Sequence, residues 1–283
     1  MALVNMKKIL DEASNNNYAV PAFNIDNMEI IQAILEVAVE LSSPLILAIG
    51  QGAINDGNME ALAAMVRRKG NELPIAIALH LDHCSSFDQI IKCIKEGFTS
   101  VMIDGSHLPL NENINLTKKV VEVANSVNVS VEAELGKIFG VEDDIAVAEA
   151  DAFLVDIKDV KEFISQVSID ALAIAIGNAH GIYKGEPKLN LDLLSAINKL
   201  TDIPLVLHGG SGIPDVLIKK AIEQGINKIN IGTEVRHALI KGILAGDNPK
   251  YDIYRHLNNG RKGVKKLVKD KILLFGCQNR CKK

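Results

Sequence analysis

The sequence predicts an α/β fold in which eight parallel strands close into a barrel wrapped by helices, with a helical extension at the carboxyl end. Two observations carry this reading. A short run of branched aliphatic residues, followed by a longer segment of helical apolar spacing, recurs from end to end of the 283 residues. Strands alternating with helices of that length pair in parallel through right-handed crossovers. About eight such units occur without a Pro/Gly/Ser-rich linker between them, which favours a closed (β/α)8 barrel over an open sheet. Such barrels run to about 250 residues as one unit, so 1–283 is read as a single domain.

Taken in order, the first expected strand is 18–23 (YAVPAF), ending at Asn24, and the second is 44–49 (PLILAI), ending at Gly50. The third, 75–81, runs into Asp82 and His83; the fourth, 100–103, into Asp104. The fifth, 129–134, carries Glu132 and Glu134, and the sixth, 171–176, is followed a few residues later by His180. The seventh, 205–207, ends at His208, and the eighth, 228–231, contains Asn230. Helical apolar spacing fills the intervals at 29–41, 59–69, 87–96, 113–125, 160–167, 191–200 and 214–224. Residues 251–283 lie beyond the eighth strand and are expected on the outside of the barrel or against a partner subunit. Polar residues that burial alone would not select thus end strand after strand, and in a barrel those ends converge on one face, where catalytic groups sit.

Composition excludes several functions. A net charge of -4 argues against a polyanionic partner, and no Trp with only 4% aromatic residues leaves no platform for stacking bases. The basic run from Arg261 to Lys271 reads as the solvated face of a helix rather than a nucleic-acid patch. No stretch approaches the roughly 20 apolar residues of a membrane span, and the amino terminus does not have the pattern of a signal peptide. The four cysteines are too irregularly spaced for a disulfide framework, with Cys277 and Cys281 expected as free thiols near a frayed end. The chain reads as cytoplasmic.

The chemistry starts with the histidines. Of seven, His83, His180 and His208 follow strand ends. Three imidazoles from separate strands make an open tetrahedral metal site with one position left for water or substrate. Zinc is the default ion for such a set, although the same donors also take cobalt, manganese or iron. The alternative for any one of them is a hydrogen-bonded barrel histidine. His80 is expected deeper or orienting a ligand, and His107, His237 and His256 on loops or the surface. Asp82, next to a ligand, is placed as a proton donor or acceptor, or else as an orienting group or helix cap. Asp104 and Glu134 either bind a second metal position or orient the histidines, and Glu132, of the same strand parity as Glu134, supports it or is supported by it. The glycine-rich turn of HGGSGIP (208–214) and the segment NIGTE (230–234) expose backbone N–H groups ahead of helices, as phosphate sites do after the seventh and eighth strands. The segment 135–145 (LGKIFGVEDDI) is read as a mobile lid that carries Glu142 to the substrate, or as a solvated acidic loop.

The motifs YAVPAFN (18–24), LHLDH (79–83), SVMIDGSH (100–107), VSVEAELG (129–136), AIAIGNAHG (173–181), PLVLHGGSGIP (204–214) and KINIGTE (228–234) together resemble the class II, zinc-dependent ketose-bisphosphate aldolases. The family includes fructose- and tagatose-1,6-bisphosphate aldolases, and the likeness spans about Ala19 to Glu234. It implies that His83, His180 and His208 hold the catalytic Zn2+, that Asp104 and Glu134 match an alternate metal position, and that Asp82 is the proton donor at the aldehyde oxygen. It further implies that Glu142 exchanges a proton with the ketone half. Gly181, Gly209, Gly210, Ser211, Asn230, Ile231, Gly232 and Thr233 would hold dihydroxyacetone phosphate, and Asn24 is expected among the substrate-binding residues. A monovalent cation (Na+ or K+) near the phosphate and a homodimer or homotetramer are implied as well. The expected reaction is reversible cleavage of fructose 1,6-bisphosphate to dihydroxyacetone phosphate and glyceraldehyde 3-phosphate through a zinc-stabilised enediolate.

Two departures fall on the aldehyde side. Gly50 stands where many relatives have a hydroxyl residue, and Tyr254, followed by Arg255, stands where many have an arginine. The KGEP run (184–187) leans to fructose-type enzymes, while AIAIGNAHGIY (173–183) leans to the tagatose type. A Schiff-base mechanism is disfavoured because Lys228 is the only lysine within an expected strand. Two other readings remain open: a barrel metallohydrolase, which usually shows His-x-His at the first strand where this chain has FNI, and a non-catalytic binding barrel, which predicts eroded ligands.

Overall fold

The computed structural model describes residues 3–142, 145–147, 153–181, 183, 185–245 and 251–281. Its strands are β1 (Val20–Asn24), β2 (Leu45–Ile49), β3 (Ile77–Leu81), β4 (Ser100–Ile103), β5 (Ser130–Leu135), β6 (Phe139–Glu142), β7 (Ile145–Val147), β8 (Ala171–Ile174), β9 (Ala179–His180), β10 (Leu205–Leu207) and β11 (Ile226–Ile231). Eight of them close a parallel barrel in the order β1-β11-β10-β8-β5-β4-β3-β2, which is chain order around the ring. All eight expected barrel strands are present. Their residues are buried throughout, as parallel strands covered on the outside by helices require. Pairings such as Phe23 with Ile231 and Ile49 with Leu81 keep the carboxyl ends of neighbouring strands close to level.

The helices are α1 (Met6–Asn15), α2 (Met28–Glu40), α3 (Gln51–Asn55), α4 (Met59–Gly70), α5 (Phe87–Lys95), α6 (Leu110–Ser126), α7 (Ile157–Gln166), α8 (Leu191–Asn198), α9 (Asp215–Glu223), α10 (Thr233–Leu244) and α11 (Ile253–Leu274). Several begin where a side chain closes the first free N–H: Asn27 accepts from Ile30 at 2.9 Å, Asn190 from Leu193 at 3.0 Å and Asp252 from Arg255 at 3.0 Å. Helix α1 is an addition to the expected pattern. Its buried residues Met6, Ile9, Leu10 and Ala13 fall on one helical stripe, and the Met6 N–H donates to Ser130 Oγ at the start of β5. The helix therefore covers the amino-terminal end of the barrel, opposite the site.

The carboxyl-terminal region corrects two expectations. Arg261, Lys265 and Lys269 do line one face of α11, where they pair with Glu36 and Glu40 of α2. Lys271 is instead buried and ion-paired with Glu234 at 2.6 Å. Nor is the end frayed: the Asn279 and Cys281 N–H groups donate to the Leu41 and Ser42 carbonyls, and Cys277 is fully buried. The cysteines are free, as expected. Burial pushes the Cys277 thiol up to about 12, which makes it an inert core group.

Helices α10 and α11 pack at glycine. A Cβ added at Gly263 would lie 2.5 Å from the Ala238 carbonyl oxygen, and one at Gly242 the same distance from that of Asn259. Gly263→Ala is therefore expected to force the helices apart at a cost of about 1–3 kcal/mol. Thermal unfolding checks this, and an unchanged melting temperature would show that the helix pair tolerates the methyl group.

Candidate active site

The carboxyl ends of the barrel strands bring the three strand-end histidines together. The ring centroids of His83 and His180 are 4.8 Å apart, those of His83 and His208 4.5 Å, and those of His180 and His208 5.9 Å. One ligand nitrogen from each lies within 4.8 Å of the others, and all three residues are buried. A second set, His83 with Asp104 and Glu134, meets the same limit and shares His83 with the first. Three imidazole nitrogens with carboxylate oxygens beside them are a donor set for a divalent cation of the zinc type. The fit is chemical as well as spatial, because desolvation strongly disfavours the protonated form of His208, leaving the neutral form that ligates. Burial would raise the Asp104 carboxyl, but the hydrogen bond from His83 and those from Ser106 outweigh it and hold that carboxyl below its usual range.

The backbone at His83 has φ 44°, the left-handed region that a residue with a Cβ seldom adopts. Gln51 holds this conformation: its Nε2 donates to the His83 carbonyl at 2.6 Å, and its Oε1 accepts from Gln89 Nε2 at 3.0 Å. Gln51 is not among the expected site residues. The available signal is a glutamine directly after the Gly50 strand end, where the polar-end pattern would have pointed.

Asp82 is fixed from both sides. Asn24 Nδ2 donates to its Oδ2 and Asn230 Nδ2 to its Oδ1, each at 2.9 Å. Asn230 Nδ2 also lies 3.3 Å from His208 Nδ1. Asn24 of β1, Asp82 directly after β3 and Asn230 of β11 thus form one chain of contacts ending at a histidine of the triad.

Below this layer lies a cluster that the strand ends only partly disclose. Glu132, expected beside Glu134, sits deeper in the barrel. Its Oε1 is 2.8 Å from His208 Nε2 and 3.0 Å from Lys228 Nζ. His80 lies in the same interior layer, with Nδ1 2.8 Å from Ser100 Oγ and Nε2 3.8 Å from Glu132 Oε2. Lys228 points inward but is fully buried and held by Glu132 and Asn230, so it offers no accessible amine for a Schiff base.

The glycine-rich segments meet on the other side of the histidines. Gly209 has φ 62°, and a Cβ there would fall 1.9 Å from the Ala179 carbonyl oxygen, so only glycine allows the turn after β10 to approach β9 this closely. The Gly210 N–H donates to the Asn230 carbonyl at 3.0 Å. The Ser211 Oγ accepts from the Glu234 N–H, which brings Ser211 to the start of α10 beside Gly232 and Thr233. Tyr183, another residue outside the expected set, clasps the two loops: its hydroxyl accepts from the Ala179 N–H at 2.9 Å and donates to the Gly209 carbonyl at 3.1 Å. Ile231, by contrast, is a fully buried strand residue, present through its backbone.

The segment expected as a mobile lid or a solvated acidic loop carries strand structure over its described part. Strands β6 and β7 form an antiparallel hairpin, and β6 pairs in parallel with β9, placing Gly140 opposite His180. Gly140 has φ 117°, and a Cβ there would meet the His180 carbonyl oxygen at 2.3 Å. Glu142 is the last residue of β6; its side chain lies outside the described residues. His107 and His237 are exposed, as expected, and His256 is half-buried with Nδ1 3.3 Å from the Ile243 carbonyl.

With this geometry established, the comparisons are specific. The family model described as fructose-bisphosphate aldolase class-II matches residues 4–280, and the chain belongs to that family. Membership makes it a metal-dependent aldolase of phosphorylated sugars. The crystal structure of the YdjI aldolase from Escherichia coli K12 is 32% identical, superposes with a TM-score of 0.89, and is matched over 99% of this chain and 100% of its own. A Coccidioides immitis protein described as a candidate fructose-1,6-bisphosphate aldolase is 28% identical at a TM-score of 0.86, over 97% and 96% of the two chains. Fructose-bisphosphate aldolase from Campylobacter jejuni, 24% identical at a TM-score of 0.81 over 99% and 97%, shares the fold. Among the described residues no helix is long and apolar enough to cross a membrane.

The buried imidazoles make stability depend on pH. Burial, ahead of the positive charge of Lys228, pushes His80 well below its ordinary 6.5, and burial likewise depresses His208. The unfolded chain therefore takes up protons below 6.5 that the folded chain refuses, so this stability is full above that value and is lost as pH falls below it. Metal-free protein should show a melting temperature that drops with acidification through this window, and His80→Gln should flatten the slope. An unaltered slope in the variant would rule out His80 as a source.

Proposed function

We propose that the protein reversibly cleaves a ketose 1,6-bisphosphate, foremost fructose 1,6-bisphosphate, to dihydroxyacetone phosphate and an aldehyde, glyceraldehyde 3-phosphate for the fructose substrate. The observation that carries this reading is the convergence of three histidine nitrogens within 4.8 Å, beside a carboxylate, Asp82, gripped by two asparagine amides. In this reading His83, His180 and His208 hold the metal, with Asp104 and Glu134 supplying the alternate position. Zinc bound there supplies Lewis-acid polarisation of the substrate carbonyl.

The residues of the chain do the rest. Gly181, the Gly209–Ser211 turn and the Asn230–Thr233 segment, with Ile231 contributing backbone, bind the phosphate of the dihydroxyacetone half at the amino-terminal end of α10, where the helix dipole favours an anion. Asn24 and Asn230 orient Asp82. In cleavage Asp82 takes the proton of the hydroxyl that becomes the aldehyde oxygen as the carbon–carbon bond breaks, and in condensation it returns it. Glu142 exchanges the proton at the carbon left on the ketone half. A monovalent cation, Na+ or K+, is proposed beside the phosphate. One domain over 1–283 and a homodimer or homotetramer complete the reading. Support for assembly comes from the exposed apolar residues Ile240 (53%), Leu244 (77%), Ile253 (62%) and Tyr254 (79%) on the α10–α11 pair.

The epimer accepted is a matter of the aldehyde side, where Gly50 has no hydroxyl and Tyr254 replaces an arginine. Coupled cleavage assays on fructose and tagatose 1,6-bisphosphates, before and after EDTA, are expected to show activity that disappears with the metal and returns with zinc, fructose being turned over faster. A strong tagatose preference would reverse the order of substrates. Ester or amide hydrolysis without cleavage of either sugar would favour a hydrolase. Asp82→Asn should lower kcat by about 10²–10⁴ while metal content, measured by elemental analysis, stays at the wild-type level. A kcat near wild type would remove Asp82 from the proton transfer.

A further inference from the structure

The interior layer under the histidines contains two charged groups with no contact to solvent, Glu132 and Lys228, both at 0% exposure. Neither is needed to fill space, since aliphatic side chains fill barrel interiors at less cost than a buried ion pair. Their partners suggest what they do. Lys228 has only donors to offer. It spans Glu132, at 3.0 Å from Oε1 and 2.9 Å from Oε2, and Asn230 Oδ1 at 2.7 Å. Because an ammonium cannot accept, the Asn230 amide must turn its oxygen to Lys228, and its NH2 is thereby aimed at Asp82 Oδ1 and His208 Nδ1. On its other side Lys228 holds the carboxylate that accepts the His208 Nε2–H at 2.8 Å. A neutral imidazole with its proton on Nε2 carries its lone pair on Nδ1, the atom 3.3 Å from the Asn230 amide nitrogen.

We propose that the buried Glu132–Lys228 pair is the positioning element of this site: one ammonium orients two groups at once, setting the tautomer of His208 through Glu132 and the rotation of the Asn230 amide directly. Lys228 is therefore a positioning residue that touches no reactant. The inference rests on the metal reading of the three histidines and adds the device that prepares one of them.

Cobalt uptake by the full-length protein, after removal of bound metal, tests it without using turnover. The variants are Lys228→Met and the double variant Glu132→Gln/Lys228→Met. The double variant removes both charges of the pair together, leaving neither without its partner, and so remains informative if the single one does not fold. Cobalt affinity should fall about 10–100-fold in either, the range expected when the partner of a ligating histidine is lost. The visible absorption of bound cobalt should change with it, which loss of stability alone would not produce. In wild-type metal-free protein, nitrogen NMR of the histidine rings should show His208 protonated at Nε2. Wild type that takes up no cobalt would overturn the metal site and this proposal with it. Wild type that binds cobalt, with a folded variant binding it equally well and with the same spectrum, would overturn the role of the pair alone, as would a His208 ring protonated at Nδ1.

Discussion

A closed barrel gives a polar side chain inside it no water to turn to, and the arrangement of this site follows from that constraint. Interior hydrogen-bonding groups are matched mostly by others arriving from different strands, because unmatched buried polar groups cost on the order of 1–3 kcal/mol each. Glu132, Lys228, Asn230, Asp82 and Asn24 come from four strands and form one connected set, with Asp82 directly following β3. The set is tied to His208 at both ring nitrogens, by Glu132 at Nε2 and by Asn230 at Nδ1. A change at one member is passed to the others by contact.

The loops around this core are held by close backbone approach rather than by side-chain bulk. The turn after β10 reaches the β9 backbone through Gly209, and β6 reaches it through Gly140. Tyr183 spans the first of these junctions, and burial raises its phenol to about 12, which keeps it a neutral donor. Farther out, Glu234 links the glycine-rich turn after β10 to the carboxyl-terminal helix, with Oε1 taking the Gly212 N–H and Oε2 pairing with Lys271. The extension beyond the barrel is thereby joined to the site, although it carries none of the three convergent histidines or the glycine-rich segments.

The family match covers 4–280 and the similarity to YdjI spans both chains, so fold and aldolase chemistry rest on nearly every residue. Substrate choice rests on few. Gly50 stands at the end of β2, just before Gln51, whose side chain is occupied with the His83 carbonyl, and Tyr254 is exposed on α11. Discrimination between similar substrates is generally set by individual pocket contacts, worth about 1–3 kcal/mol each when they are apolar, and not by the scaffold.

Much of the molecule was legible in the amino-acid order alone. The eight barrel strands follow from alternation of branched runs with helical spacing, and the triad follows from histidines at strand ends, because both signals are local and parallel topology makes strand ends converge. Helix α1 was equally local in its Met6, Ile9, Leu10 and Ala13 stripe. What required the tertiary structure was pairing across strands. That Glu132 serves His208 rather than Glu134, that Lys228 turns inward to a carboxylate 96 positions away, and that Gln51 restrains His83 depend on register and depth in the barrel. No spacing along the chain encodes these. The pairing of β6 with β7 and with β9 belongs with them, because β9 lies far along the chain from β6 and only the folded barrel brings the two together.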